Sequence, residues 1–321
     1  MKIDVHNHAL PQAVIELVSS DPRFGVKIED GLVKRANYAD HPLFDELHLV
    51  PAKLAQLDRA GLDGAVVCVE PSMFGYHLEL DLGVAMAQAA NDGLRALCAE
   101  APGRLQWLAH VPLRDPARAA EVLAEAVSDG AVGVEIGSNA AGTRLDEPEV
   151  EPFWNAVEET GVTVFVHNAY NPKVPGLDRF YLHNVIGNLL ETTICAERLV
   201  AAGTLDRHPG ARVVLGHAGG FVPFQAGRLR HASTIRKEFA HELDLWSYAG
   251  RLIFDTITHD PAALTYLVSR AGAENVVMGT DFPYDMATPH PMDELHAAVD
   301  ETTARVIAEE VPARLFPRAA A

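Results

Sequence analysis

The chain has 321 residues, 48% hydrophobic and 22% charged, a globular balance that supplies a large core and excludes a disordered or fibrous chain. Its 26 basic residues stand against 44 acidic ones, a formal charge of −18 that repels polyanions. Nucleic acid is therefore excluded as a partner, and an anionic ligand needs a local cationic pocket.

Three widely spaced cysteines, Cys68, Cys98 and Cys195, fit neither a disulfide framework nor a thiolate metal site and read as reduced, buried thiols. No window approaches a membrane span, and Asp4, His6, Asn7 and His8 interrupt the first apolar run as no signal peptide does. The expected location is cytoplasmic, without membrane contact.

Taken in order, short apolar runs alternate with longer amphipathic segments, the pattern of βα units around a parallel sheet. Eight runs stand out: Ile3 to Val5, Ala65 to Val69, Gln106 to Ala109, Val132 to Ile136, Thr163 to Val166, Arg212 to Leu215, Leu252 to Phe254, and Asn275 to Met278. Helices are expected at Val84 to Cys98, Pro116 to Ser128, Glu149 to Glu159, Thr192 to Ala201 and Pro261 to Ala271. Eight such units close most economically as a (β/α)₈ barrel, and with no linker or repeat in sight residues 1–321 are expected to be one domain. Residues 24–50 break the rhythm and read as an insertion after the first strand, a small hairpin subdomain or a lid. A second loop is expected at Gly137 to Glu147.

Polar residues follow the runs: His6 and His8, Glu70, His110, Glu135, His167, His217, Asp255 and Asp281. In such barrels the carboxyl ends of the strands form the catalytic face. His6 and His8 share one face of an extended segment and could grip one ion, although a solvated pair at a strand end has the same spacing. His167 ends the β-branched run Val162 to Val166, and His217 sits among Gly216, Gly219 and Gly220, which permit close approach of backbone or substrate. Asp281 follows the last run, where it could merely cap the next helix, but Pro283 close behind favours a fixed loop. Together these offer three or four imidazoles and a carboxylate, a donor set suited to Zn²⁺ and also to Mn²⁺, Fe²⁺ or Co²⁺.

At this point the chain resembles the amidohydrolase superfamily, in its branch of metal-dependent decarboxylases typified by α-amino-β-carboxymuconate-ε-semialdehyde decarboxylase. The resemblance runs from His6 to about Tyr284. It is carried by Phe165-Val166-His167, Leu190-Glu191-Thr192-Thr193-Ile194, Gly216-His217-Ala218-Gly219-Gly220-Phe221-Val222-Pro223-Phe224, Gly227-Arg228, His259-Asp260-Pro261 and Gly279-Thr280-Asp281-Phe282-Pro283-Tyr284. It implies a distorted barrel in which His6, His8, His167 and Asp281 bind one divalent metal, most often zinc, without an organic cofactor. It further implies that His217 is the catalytic acid/base, and that Arg228 and Arg236 bind the substrate carboxylate, one of them from the partner subunit of a homodimer. Asn168, Ala169 and Tyr170 depart from the branch's pattern after the fifth strand, and Arg35 and Lys53 are the cations nearest to its arginine in the insertion.

The expected activity is non-oxidative decarboxylation of a small unsaturated or aromatic carboxylic acid, with His217 and Asp281 moving protons beside a metal that stabilises the developing oxyanion. The alternative is metal-dependent hydrolysis of a small amide or lactone, or hydration of an unsaturated acid. Hydrolases of the superfamily often bridge two metals through a modified lysine at the fourth strand, where this chain has Glu135, so a mononuclear site is expected. His110 is a candidate for the pocket wall and His231 for a supporting position. His41, His48, His77, His183, His208, His241, His290 and His296 read as solvated or structural.

Overall fold

A computed structural model describes residues 1–35, 40–168 and 174–317. Eight parallel strands lie in one sheet in chain order: β1 (Ile3–Ala9), β2 (Gly64–Val69), β3 (Leu105–His110), β4 (Gly133–Gly137), β5 (Thr163–His167), β6 (Arg212–Leu215), β7 (Leu252–Asp255) and β8 (Val276–Val277). Each coincides with one of the eight apolar runs. Because sheet order follows chain order, β8 returns beside β1. The seam is irregular rather than laddered: Val5 N donates to Met278 O at 2.9 Å, Asp281 N to His6 O at 2.8 Å, and His8 N to Phe282 O at 2.9 Å. These bonds bring the sheet round to a distorted (β/α)₈ barrel.

Alternation along each strand divides the apolar side chains between two cores. Val66 and Cys68 of β2 point inward with Val5, Leu108, Phe165, Val214, Ile253 and Val277, whereas Ala65, Val67 and Val69 face the helices. The short helix Val311–Leu315 plugs the barrel's amino-terminal end, adding Val311, Leu315 and Phe316 to the inner cluster. Thr163 Oγ1 anchors it by donating to Leu315 O at 2.8 Å.

Outside, helix Leu80–Ala99 buries Leu82, Met86, Ala90, Leu94 and Leu97 at three- and four-residue spacing, each such side chain contributing roughly 1–3 kcal/mol. Pro116–Ser128 and Pro261–Ala271 start where the sequence sets them. In both, proline opens the first turn and an aspartate, Asp115 or Asp260, accepts a bond from an early backbone N–H. Among the described residues no helix is long and apolar enough to cross a membrane.

The segment expected to be an insertion begins as an antiparallel hairpin, Val26–Glu29 with Leu32–Arg35. Asp30 and Gly31 turn it, both at positive φ, the geometry that an Asp-Gly pair favours. A third strand, His41–Pro42, pairs with Leu32–Arg35, and the helices Asp45–His48 and Val50–Arg59 lead back to β2. The loop after β4 contains a smaller hairpin, Asn139–Ala140 with Thr143–Arg144. Beyond Tyr284, where the resemblance stops, the chain forms the helices Pro291–Ala298 and Glu301–Arg305 before the plug. Ala169 and Tyr170 lie outside the described residues.

Candidate metal centre and active site

The centre starts from an irregularity in β1. Between Asp4 and Asn7 the strand advances three residues while its partner advances two, from Ala65 to Val67. The extra residue lets Val5, His6 and His8 all face the interior, while Asp4 and Asn7 face out. Outside the barrel, Asp4 receives His6 N at 3.0 Å, Asn7 Nδ2 at 2.9 Å and Thr280 Oγ1 at 2.6 Å. Lys53, fully buried, donates to Asn7 Oδ1 at 2.6 Å and to His8 O at 2.8 Å. It therefore braces β1 from behind, which corrects its place as a candidate for substrate contact. Asp4 and Thr280 in turn tie β1 to the turn that carries Asp281.

Inside, four imidazoles gather round one carboxylate. The His6 ring lies 5.0 Å from His8, 5.1 Å from His167 and 5.2 Å from His217, centroid to centroid. Asp281 divides its oxygens. Oδ1 lies 3.0 Å from His8 Nε2 and 3.4 Å from His6 Nε2, whereas Oδ2 lies 3.4 Å from His217 Nε2. Ligand atoms of His6, His167, His217 and Asp281 are all within 4.8 Å of one another, and His8 joins the group through Asp281 Oδ1. The five residues expected to form the centre are thus together.

The tautomers follow from the outer partners. His6 Nδ1 faces Asp255 Oδ2 at 2.7 Å and His167 Nδ1 faces Asn168 O at 3.0 Å, so both donate there and turn Nε2 toward the centre, the nitrogen each would offer to an ion. His6 Nε2 is buried and lacks a hydrogen bond among the described residues, although Asp281 is close. A buried ring nitrogen left without a bond is what a bound cation satisfies.

Charge agrees with this reading. Burial would lower the His6 imidazole, but the Asp281 and Asp255 carboxylates outweigh it and raise it to about 10. Burial lowers His8, and burial with the neighbouring imidazoles holds His167 well below the usual range. The Asp281 carboxyl, despite burial, is held well below its ordinary range by His6, His217 and His8. In the metal-free pocket a proton on His6 answers the two carboxylates, while His8 and His167 stay neutral; a divalent cation would take that proton's place, and the residues fit such an ion.

Two site residues are held in the left-handed region, His217 at φ 55° and Asp281 at φ 65°. Conformations of this kind cost of order 1–3 kcal/mol each and persist where the surroundings over-determine them. Asp255 is what fixes His217: its Oδ2 accepts from His217 N at 2.9 Å and its Oδ1 from Ala218 N at 2.6 Å. Gly279 is required beside it, since a Cβ there would lie 3.0 Å from His6 Cβ and 3.1 Å from Asp255 Cβ. Asp255 was visible in the sequence only as one more strand-end acid; its four accepted bonds appear once β7 is set between β6 and β8.

Aromatic rings border the ligands. Phe74 stacks on His110 at 5.1 Å and lies 6.5 Å from His167, while Tyr284 lies 5.4 Å from His8. His110, buried, bonds Phe74 O at 3.0 Å through Nε2 and so supports this wall. Arg228 and Arg236 are not in the cluster. Both are exposed, Arg228 on helix Val222–Ile235 and Arg236 just past it, paired with Glu238 at 2.9 Å. His231 is exposed on the same helix, away from the cluster, which corrects its place as a supporting residue.

A family model described as Amidohydrolase matches residues 3–318. The 2-amino-3-carboxymuconate-6-semialdehyde decarboxylase of Dictyostelium discoideum is 28% identical over 94% of this chain and 88% of its own. The gamma-resorcylate decarboxylase of Rhodococcus jostii (strain RHA1) is 26% identical over 80% of this chain and 86% of its own. The solved 5-carboxyvanillate decarboxylase of Novosphingobium aromaticivorans DSM 12444, complexed with manganese and 4-hydroxy-3-methoxy-5-nitrobenzoic acid, shares the fold at TM-score 0.82. Its identity is 19%, over 98% of this chain and 96% of that one.

Proposed function

Since the chain belongs to the amidohydrolase family, its model matching residues 3–318, we propose that it is a metal-dependent carboxy-lyase removing CO₂ without oxidation from a small unsaturated or aromatic carboxylic acid. The observation that carries this reading is the convergence of His6, His8, His167, His217 and Asp281 at the carboxyl ends of β1, β5, β6 and β8. The names of the two relatives support the reaction, and the rings of Phe74 and Tyr284 beside the ligands support a flat, unsaturated substrate. Residues 1–321 act as one catalytic domain in this reading, and three buried free cysteines support a reducing, cytoplasmic setting.

His6, His8 and His167 through nitrogen, and Asp281 through Oδ1, would hold the ion. When bound it supplies positive charge on which substrate oxygens dock and developing negative charge is stabilised. We assign Zn²⁺ on the nitrogen-rich donor set, with Mn²⁺, as in the Novosphingobium enzyme, the competitor. Asp281 Oδ2 orients His217 Nε2, and the proton held there passes to the substrate carbon bearing the carboxylate. The carbon–carboxylate bond then breaks, its electron pair returns to the unsaturated system, and CO₂ leaves. His217 recovers a proton from solvent, so no oxidant or organic cofactor enters the balance.

Substrate orientation requires a cation, and in this reading Arg228 or Arg236 supplies it across a homodimer. Phe224, Arg228, His231 and Ile235 follow helical spacing along one face, and Phe224 is 81% and Ile235 64% exposed. Such a face supports burial against a second copy. The guanidinium then meets the carboxylate of the substrate in two parallel bonds. Metal content of the His6→Ala/His8→Ala double variant, with a screen of hydroxybenzoates and muconate-type acids for CO₂ release by the parent, tests the assignment. Loss of metal and release of CO₂ are expected; a full equivalent retained by the double variant overturns the ligand set.

A further inference from the structure

Behind His8, on the side away from Asp281, lies a second group of donors that the proposed reaction does not use. A ring nitrogen of His8, Cys68 Sγ and a carboxylate oxygen of Glu135 lie within 4.8 Å of one another, and His8 Nδ1 is 3.3 Å from Cys68 Sγ. The three come from β1, β2 and β4 and are fully buried. Glu135 pairs in register with His110 on one side and Phe165 on the other, which points it into the barrel. Neither of its carboxylate oxygens has a hydrogen-bond partner of acceptable geometry among the described residues.

Orphaning one buried carboxylate oxygen is uncommon, and orphaning both demands an explanation. Packing offers none, because Cys68 and Phe165, its nearest inner neighbours on β2 and β5, belong to the apolar inner cluster. Cys68 Sγ donates to Asn7 O at 3.4 Å and meets His8 Nδ1 at 3.3 Å, which accounts for the thiol; its contact with the Glu135 carboxyl is electrostatic and forms no bond of acceptable geometry. One thiolate and one carboxylate cancel the charge of one divalent ion, and an imidazole nitrogen completes a soft-to-borderline donor set.

We propose that His8 Nδ1, Cys68 Sγ and the Glu135 carboxylate form a second, buried metal site of zinc-like preference, set beneath the first and joined to it through the His8 ring. The proposal runs against two expectations drawn from the sequence, that no cysteine binds metal and that the absence of a lysine on β4 makes the centre mononuclear. Cys68 is isolated along the chain, and only the neighbouring strands supply its co-ligands. Binding at this site displaces the thiol, carboxyl and imidazole N–H protons to solvent, while His8 gives one lone pair to each ion. The site is buried against the inner apolar cluster with no room shown for substrate, so its role is to fix His8 and not to enter the reaction.

The test uses the full chain stripped of metal and titrated with Co²⁺. Two equivalents per chain are expected, the second bringing a sulfur-to-cobalt charge-transfer band in the near ultraviolet. Glu135→Gln and Cys68→Ser should each bind a single equivalent, and Cys68→Ser should lose the band entirely. One equivalent in the parent chain without a thiolate band overturns the proposal, as does a band that survives Cys68→Ser. Those results leave the first site untouched, whereas loss of all cobalt binding in the parent chain would strike the proposed function and this site together. Parent-chain stoichiometry and spectrum decide the matter even if a variant fails to fold.

Discussion

Replacing Asp255 by asparagine changes one oxygen to an amide and touches no ligand, yet the structure gives a definite cost. Asp255 accepts four bonds: Oδ2 from His6 Nδ1 at 2.7 Å and His217 N at 2.9 Å, Oδ1 from Ala218 N at 2.6 Å and Ile257 N at 3.1 Å. Asparagine keeps the Oδ1 pair but turns an NH₂ toward two donors. His6 must then accept at Nδ1 and carry its proton at Nε2, the nitrogen required for metal. Losing such an outer partner weakens metal binding by about 10- to 100-fold, equivalent to roughly 1.4–2.7 kcal/mol. The stranded His217 N–H costs a further 1–3 kcal/mol or so of folding stability. Chelator competition on the purified variant measures the first quantity and urea unfolding of the metal-free chain the second. Metal affinity within about twofold of the parent would refute the tautomer argument on which the ligand assignment rests.

His217→Asn should keep its metal and lose turnover by about 10²- to 10⁴-fold; near-normal kcat in a metallated variant refutes the proton-transfer role. Inactive His217→Asn and Arg228→Ala (or Arg236→Ala) chains, mixed and exchanged, should recover activity, because one site of each heterodimer is then intact; a monomer in solution rejects the arrangement. Burial lowers His110 to about 4 from its usual 6.5, so the folded chain holds fewer protons than the unfolded one between those values. The His110 contribution is then full above pH 6.5 and falls as pH drops toward 4, by up to about 3 kcal/mol; His110→Phe should make the slope of metal-free unfolding curves shallower by that amount, leaving the part that the buried His8 and His167 supply, and an unchanged slope refutes the assignment.

The barrel was legible because its signal is local: period-two apolar runs ending in polar residues fix strand existence, and Asp115 and Asp260 before proline fix two helix starts. The ligands were legible because each lies at a strand end. What stayed hidden depends on register. Nothing in Asp4 to His8 announces the extra residue in β1 that turns His6 and His8 inward while Asn7 turns out to Lys53. Lys53 carries the same charge in the sequence whether it meets solvent, substrate or the back of a strand, and only the packing of Val50–Arg59 against β1 and β2 decides. Glu135 and Cys68 likewise acquire meaning from the strands between which they sit. The arginines of helix Val222–Ile235 point out of this chain, and a single copy does not reveal what they meet.

The irregular seam has a consequence for the order in which the molecule is made. His8 and Asp281 are 273 residues apart, so nearly the whole chain must leave the ribosome before its first strand meets the carboxylate that faces it. Until then the nascent chain carries an apolar, open-edged sheet whose rim imidazoles lack the Asp281 carboxylate that gathers them. Binding an ion after completion acts as a hasp on the two ends: it adds free energy only to states in which β1 and β8 are together, and so suppresses opening at the seam. A cut within the 24–50 insertion would leave that hasp closed, whereas loss of residues beyond Val277 would leave a sheet with nothing to fasten it.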